Sequence, residues 1–276
     1  MSDRTSTITA SEAAAIDAQA LELAPLLARR ELWLLVSAGF VDPFHRQRFE
    51  LLNNPEFRRQ VIRAAALLAE EHPSPELGTG ELEPRTLSPQ DLFAALDAQS
   101  NNLETMYRGL FGLTAVSPHC PSCEMEYEPN ADVSYQAQQL ADVAGFYSAF
   151  ALEVSPQAGE RLDHITVEAE FLHMLLAKEA FMSSTKDQEG AEICREARRK
   201  FFEEHVGWWL PAFSRIISRV APPGYYRELG RFTAAVSALE RTNLGIRPFT
   251  SRIVPRPTET EVNAACDACH SAGQAC

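Results

Sequence analysis

Apolar residues recur every three or four positions along most of this chain, the spacing that places them on one face of an α-helix. Alternating apolar and polar positions, the mark of a half-buried strand, form no run of convincing length. The predicted fold class is therefore all-α, a single-domain helical bundle. The periodicity predicts helices over residues 11–41, 55–72, 88–111, 132–152, 163–182, 189–206, 208–220 and 224–241.

The helix predicted over 163–182 has two apolar stripes, which indicates packing on two sides and a central place in the bundle. One stripe consists of Ile165, Ala169, Leu172, Leu176 and Ala180, and the other of Val167, Phe171, Met174 and Phe181. Between them run two polar strips, His164/Glu168/Glu179 and Thr166/Glu170/His173. Asp163 is predicted to be the N-cap of this helix. Charged groups so close to a core need partners or a function.

The pattern divides the chain into three parts. Residues 1–19 form a polar N-terminal segment leading into the first helix, and residues 20–241 form the helical domain. Prolines break the periodicity after residue 241, so residues 242–276 are predicted to be an irregular tail that contains Cys and His.

Composition narrows the function classes. A net charge of −13 over 276 residues argues against a nucleic-acid-binding protein, which needs a basic surface. An acidic surface favours a basic partner. No segment reaches the roughly 18 apolar residues of a membrane span, and the N-terminus is polar. We therefore predict a cytoplasmic protein that does not cross a membrane.

Two Cys-x-x-Cys pairs are the main candidates for metal chemistry. Cys120 with Cys123 and Cys266 with Cys269 can together supply four thiolates, the ligand set of a structural zinc or iron–sulfur site. Reduced thiols on two separate loops are the alternative. The second pair is followed by His270 and so also fits the c-type haem attachment pattern, although no export signal accompanies it.

No set of residues in the sequence indicates catalysis. Glu170 and His173 have the Glu-x-x-His spacing of a di-iron bundle, but such a site needs a second copy. The Glu203-Glu204-His205 run has the wrong spacing for it. Phosphate-binding glycine loops and nucleophile elbows are also missing from the sequence. The chain is predicted not to be an enzyme.

Several blocks, in the right order between residues 20 and 241, resemble the TorD/DmsD/NarJ family of cytoplasmic chaperones for molybdenum enzymes. The block from Glu160 to Phe171 is similar to the Asp-His signature of that family, and the block from Pro121 to Tyr127 is similar to its Pro-x-Tyr-Glu-x-x-Tyr segment. Further similar blocks are residues 30–35, 107–111, 136–150 and 202–213.

The resemblance implies an all-helical chaperone that binds the apo catalytic subunit of a molybdenum enzyme, or its twin-arginine leader, until the cofactor is inserted. Asp163 and His164 match positions that the family uses in leader binding, and Glu168 lies in the same signature. Glu124 and Tyr127 belong to the neighbouring segment. An exposed Asp163 carboxylate would pair bidentately with a leader arginine.

Aromatic residues complete the site that the resemblance implies. Phe171, Phe146 and Tyr147 are expected to form apolar walls for the hydrophobic stretch of a leader. No cofactor is required, and the protein is expected to be a monomer or a homodimer. In the alternative interpretation, both residues are only structural: Asp163 is a helix cap and His164 is a hydrogen-bonded loop residue.

Two departures from the family pattern involve cysteine. Cys123 stands where the family usually has an aromatic residue, and the Cys/His tail lies outside the common core. The Cys-Pro-Ser-Cys-Glu form is similar to the subgroup that serves type II enzymes of the dimethyl-sulfoxide-reductase type. The alternative function is a metal- or thiol-dependent redox or sensor protein that uses the two Cys pairs.

Overall fold

The structure is a computed structural model that describes residues 10–44, 49–71, 75–112, 120–130, 132–155 and 159–256, with side chains from residue 21 onward. These residues contain α-helices and no β-strand, so the predicted all-α fold is confirmed. The α-helices are α1 (Ala10–Gly39), α2 (Pro55–Ala69), α3 (Pro89–Gln99), α4 (Leu103–Phe111), α5 (Val133–Ala149), α6 (Ile165–Ser184), α7 (Gln188–Phe201), α8 (Leu210–Val220) and α9 (Tyr225–Asn243). Short 3-10 turns occupy Glu50–Asn53, Pro84–Thr86 and Glu124–Glu126, and a π turn occupies Phe202–Val206.

Two predicted helices are interrupted in the structure. The helix predicted over 88–111 is two helices, because the backbone turns at Asn102, whose N–H bonds the Gln99 carbonyl. Ser and Asn side chains compete for backbone hydrogen bonds, and the Ser-Asn-Asn run at 100–102 favours a break. The helix predicted over 189–206 widens into the π turn after Phe201.

The predicted central helix is confirmed as α6, which packs against α1 and α7. All five members of its first apolar stripe are buried. In the second stripe Val167 and Phe171 are buried, but Phe181 is 61% exposed because it lies close to the end of the helix. The two-sided pattern therefore holds for the first four turns of α6.

Polar residues near the core are paired with one another. Arg198 of α7 is almost fully buried and forms ion pairs with Glu179 of α6, at 3.1 Å, and with Glu240 of α9. Arg241 pairs with Glu81 at 2.8 Å. Buried charges are tolerated when they are paired and hydrogen-bonded. These pairs account for the Glu179 end of the first polar strip.

The chain after α9 runs back over the bundle without helix. The Phe249 carbonyl accepts the Thr79 N–H at 2.8 Å, and the Ile253 carbonyl accepts a hydrogen bond from Arg215 at 3.2 Å. The Arg256 N–H then donates to the Glu126 carbonyl at 2.8 Å. The described part of the predicted irregular tail is thus attached to the bundle as far as Arg256, while the predicted domain limits stay a prediction.

Helices α8 and α9 approach closely at a glycine, which gives a test of the packing. A Cβ atom added at Gly230 would overlap the Ile217 side chain and lie 3.1 Å from the Ser214 carbonyl oxygen. We expect Gly230→Ala to lower the free energy of unfolding in urea by about 1–3 kcal/mol, since overpacked cores must shift. Gly145→Ala is the matched control: it lies in α5 with no atom within 4 Å of its added Cβ.

The control should change stability in the opposite direction. Alanine is favoured over glycine in a helix, so Gly145→Ala should raise the free energy of unfolding by about 0.5–1 kcal/mol. Equal effects of the two substitutions would contradict the close approach of α8 and α9.

Candidate functional site

Two loops meet at the N-terminal end of α6. Residues 120–127 and residues 159–164 are joined by an antiparallel bridge between Cys123 and His164. The Glu124 N–H donates to the Asp163 carbonyl, and the Ile165 N–H donates to the Ser122 carbonyl, both at 2.9 Å. The two signature blocks identified in the sequence are therefore neighbours in space.

The Asp163 side chain links these two loops. Asp163 was predicted to be the N-cap of α6, and this prediction is wrong. Its carboxylate accepts two hydrogen bonds from the Arg161 guanidinium, at 2.9 and 2.8 Å, and one from the Met125 N–H at 3.0 Å. The residue is fully buried. The prediction of an exposed carboxylate is wrong, because Arg161 already occupies the bidentate position that a leader arginine was expected to take.

His164 takes the N-cap position instead. Its Nδ1 accepts the Thr166 N–H at 3.3 Å and lies 2.7 Å from the Thr166 hydroxyl, while Nε2 lies 3.5 Å from the Glu160 carboxylate. Burial, together with the positive charge of Arg161, lowers the pKa of His164 to about 3. A neutral ring with its proton on Nε2 satisfies both sides.

Glu168 lies deeper, inside the core. One carboxylate oxygen accepts the Trp209 indole N–H at 3.3 Å, and the other has no hydrogen-bond partner among the described residues. Burial, and then the charges of Glu124 and Asp163, raise the pKa of Glu168 well above its usual value. Burial therefore favours the protonated form of Glu168.

Glu124 connects the first loop to the π turn. Its carboxylate accepts the Trp208 indole N–H at 2.9 Å and lies 3.3 Å from Nδ1 of His205. The other ring nitrogen of His205 lies 3.1 Å from the Asp142 carboxylate on α5. Burial alone would lower the pKa of His205, but its bonds to Glu124 and Asp142 outweigh burial and raise it.

The aromatic residues of the predicted site form a buried cluster. The Tyr127 hydroxyl donates to the Pro121 carbonyl at 2.8 Å, and the Tyr147 hydroxyl donates to the Leu162 carbonyl at 2.9 Å. Tyr147 also packs edge-on against Phe171, with ring centroids 4.8 Å apart. These contacts hold α5 and the two loops against α6.

The structure thus brings together seven of the predicted binding residues and buries them. They are Glu124, Tyr127, Tyr147, Asp163, His164, Glu168 and Phe171, and each is below one-tenth exposed. Their hydrogen bonds run to other parts of the chain. Direct contact with a partner therefore stays a prediction, and the visible effect of these residues is to position the surface around them.

That surface contains a first groove between α5, α6 and the loop that joins them, with a volume of about 390 Å³. Tyr147 and Phe171 lie in its wall. Leu152, Val154 and Met174 add apolar surface, and the exposed carboxylates of Glu153 and Glu170 lie at its rim. We call this the α6 groove.

A second groove of about 660 Å³ lies between α5 and α7. Its apolar residues are Phe146, Ala149, Phe150, Ile193 and Ala197, and its charged residues are Glu189, Glu192, Glu196 and Lys200. Phe146, the third predicted apolar wall, is found here and not in the α6 groove. Both grooves combine an apolar wall with carboxylates.

The cysteine prediction is only half covered by the structure. Cys120 and Cys123 are buried, and burial raises the pKa of both thiols. The other two predicted ligands, Cys266 and Cys269, lie outside the described residues. The zinc or iron–sulfur site at the four cysteines stays a prediction.

A different group of side chains was missed by the sequence. Asp142, Glu204 and His205 place one ligand-type atom each within 4.8 Å of one another, the one such group among the residues described. Residues 204 and 205 are adjacent, but Asp142 comes from another helix. No spacing rule in the sequence connects it to them.

The Asp163 contacts can be tested by substitution. We expect Asp163→Asn to lower the free energy of unfolding at neutral pH by about 2–3 kcal/mol, because Arg161 would lose one of its two charged partners and keep only Glu126. The matched control is Glu56→Gln, which removes the exposed ion pair with Arg59 and should leave the urea midpoint unchanged. Equal midpoints for Asp163→Asn and the wild type would contradict the proposed linking of the loops.

Glu168 predicts a pH dependence. Above about pH 4.3 the unfolded chain ionises this carboxyl while the folded protein keeps it protonated, so rising pH removes up to about 1.4 kcal/mol per unit until the folded pKa is passed. Glu168→Gln should abolish that loss, so its free energy of unfolding should rise relative to that of the wild type as the pH increases above about 5. Urea unfolding across this range measures it, with Glu170→Gln, an exposed neighbour on α6, as control. Parallel profiles for Glu168→Gln and the wild type would show that Glu168 is ionised in the fold.

No helix in the described ranges is long and apolar enough to cross a membrane.

The chain is 31% identical over 106 residues to the selenate reductase assembly chaperone protein of Thauera selenatis, a match covering 38% of this chain and 53% of that protein. It is also 31% identical over 91 residues to the perchlorate reductase assembly chaperone protein of Dechloromonas aromatica (strain RCB), covering 33% and 40%. The matches thus span about half the length of these relatives or less. No solved structure matches the chain.

The family comparison covers both signature blocks and both grooves. The family model described as nitrate reductase delta subunit matches residues 84–215. This result confirms the resemblance drawn from the Asp-His block and its neighbours. Residues 84–215, a little under half of the chain, are therefore similar to the nitrate reductase delta subunit family, the NarJ/TorD family of the predicted resemblance.

Proposed function

We propose that this protein is an assembly chaperone for the catalytic subunit of a molybdenum-containing reductase, and that it acts in the cytoplasm. The main support for this proposal is that both grooves lie within residues 84–215, the segment that matches the family model. The names of the selenate and perchlorate reductase chaperones support the same function. The client would be held in its apo form until its cofactor is inserted.

A binding function without turnover agrees with the chemistry of the site. Asp163 is saturated by Arg161 and Met125, and the neutral His164 caps a helix. Groups held in this way position the backbone and are poorly placed to exchange protons with a substrate. We therefore propose that the protein is not an enzyme.

The α6 groove is the better candidate for the client. Its apolar surface suits a hydrophobic segment, and the carboxylates of Glu153 and Glu170 suit arginine side chains at one end of that segment. A twin-arginine leader combines these two features. In this proposal Asp163, His164, Glu124, Tyr127 and Glu168 support the groove from behind, while Tyr147 and Phe171 form part of its wall.

The alternative function, a thiol- or metal-dependent redox protein, gains no support from the described cysteines. A thiolate is the reactive form of cysteine, and burial raises the pKa of Cys120 and Cys123. Among the two functions, the chaperone is the one that the surface geometry supports.

Leader binding can be tested with a synthetic peptide that has two adjacent arginines followed by an apolar stretch. We expect calorimetric titration to show binding that weakens as salt is raised. The double substitution Glu153→Gln plus Glu170→Gln should weaken binding by about tenfold or more, because it removes both charged partners at the rim. A peptide with lysine for both arginines should also bind less tightly, since lysine cannot pair bidentately.

Two controls locate the site. Glu50→Gln removes an exposed carboxylate remote in sequence from the grooves and should leave affinity unchanged. Glu192→Gln reports on the groove between α5 and α7. Loss of affinity in Glu192→Gln, with none in the α6-groove variant, would move the leader to the second groove. If no variant responds and the leaderless catalytic subunit still co-purifies, the mature subunit is the client.

A further inference from the structure

Three potential metal ligands meet where α5 passes the π turn. Nε2 of His205 lies 3.1 Å from a carboxylate oxygen of Asp142, and the Glu204 carboxylate lies within 4.8 Å of both. His205 is fully buried, whereas Asp142 and Glu204 are exposed. The imidazole therefore presents one nitrogen toward the surface, to a pair of carboxylates.

The orientation of the imidazole is set from behind. Glu124 is almost fully buried and lies 3.3 Å from Nδ1 of His205, while the Trp208 indole holds the other Glu124 oxygen at 2.9 Å. Phe146 and Phe201 pack on the ring, with centroids 5.5 and 5.4 Å away. A carboxylate behind a histidine is the usual outer-shell arrangement of metal-binding histidines, because it fixes the ring and raises its basicity.

The backbone adds a second feature. Residues 202–206 adopt a π turn, which interrupts the regular helix after Phe201. Turns of this kind are rare and are often found at functional sites. Here the π turn carries both His205 and Glu204, so it places two of the three ligands.

We propose that His205, Asp142 and Glu204 bind a divalent cation of the zinc class. Imidazole nitrogen with carboxylate oxygens suits Zn²⁺ and its neighbours Co²⁺ and Ni²⁺, whereas Mg²⁺ and Ca²⁺ prefer oxygen ligands alone. Tetrahedral zinc with bonds of about 2.0–2.1 Å separates its ligand atoms by about 3.3 Å, close to the spacing of His205 and Asp142. The fourth position is left for water or for a partner group.

A cation there would fasten α5 to the π turn. Helix α5 supplies Tyr147 to the α6 groove and Phe146 to the second groove. The bond between Asp142 and His205 links this helix to the rest of the site. Metal binding would therefore stabilise the walls of both grooves, a consequence that rests on the proposed function, whereas the site itself does not.

Cobalt(II) is the probe, since its visible absorption distinguishes nitrogen and oxygen ligands from thiolates. Full-length protein is freed of metal with a chelator, dialysed and titrated with Co²⁺ under reducing conditions. We expect one equivalent with tetrahedral visible bands and no accompanying sulfur-to-metal charge-transfer band. The melting temperature should rise when Co²⁺ or Zn²⁺ is added, because a ligand that binds only the folded state stabilises it.

Surface variants avoid disturbing the core. Asp142→Asn plus Glu204→Gln keeps His205 in place and should lose the equivalent of Co²⁺ together with the metal-dependent rise in melting temperature. Glu203→Gln, an exposed carboxylate one residue away, should bind as the wild type does. Glu124→Gln should weaken binding by about ten- to a hundredfold, the usual effect of removing an outer-shell partner.

The cobalt titration distinguishes this site from the predicted cysteine site. If the wild type and the double variant bind the same number of equivalents, the proposal is wrong, whatever the spectrum. If the wild type binds no Co²⁺, or binds it only with a thiolate band, the proposal is also wrong. Failure of leader binding in the peptide titration would leave this outcome unaffected.

Discussion

The candidate site depends on the hydrogen bonds of the buried Asp163 carboxylate. Removing a carboxylate from water is costly unless charged and hydrogen-bonding partners replace the solvent. Arg161 and the Met125 N–H supply those partners, so the loop at 120–127 and the approach to α6 become one unit. The start of α6, with His164 as its cap, follows from that arrangement. The wall of the α6 groove is built on the same helix.

The residues that resemble a family signature therefore act mainly by holding backbone segments together. Glu124 fixes His205 and the π turn, and Glu168 accepts a bond from Trp209 inside the core. In the proposed function, the surface for a partner consists of the apolar side chains and carboxylates that line the two grooves. Signature residues and the proposed contact surface overlap only in part: Glu170 and Phe171 of the Asp-His block line the α6 groove, whereas Asp163, His164 and Glu168 are buried.

Much of the fold was predictable because helical periodicity is local. The ranges of α1, α2, α5, α8 and α9 lie within a few residues of those expected, and α6 has the central place that its two apolar stripes predict. The errors occurred where local rules allow two answers. Asp and His stand side by side before α6, and capping preference alone favours Asp163. Because the Asp163 carboxylate accepts a hydrogen bond from a buried loop amide, it does not cap α6, and His164 is the N-cap instead.

The sequence by itself determined the helical class, the central helix and the family resemblance, since each depends on residue order and spacing within short stretches. It also showed that polar groups would lie close to a core and need partners. Only the tertiary structure decided which partners they have. The Met125 N–H donates to Asp163 from 38 positions away in the chain, and Asp142 meets His205 from 63 positions away. Such pairs form through packing of distant elements, and no local spacing encodes them.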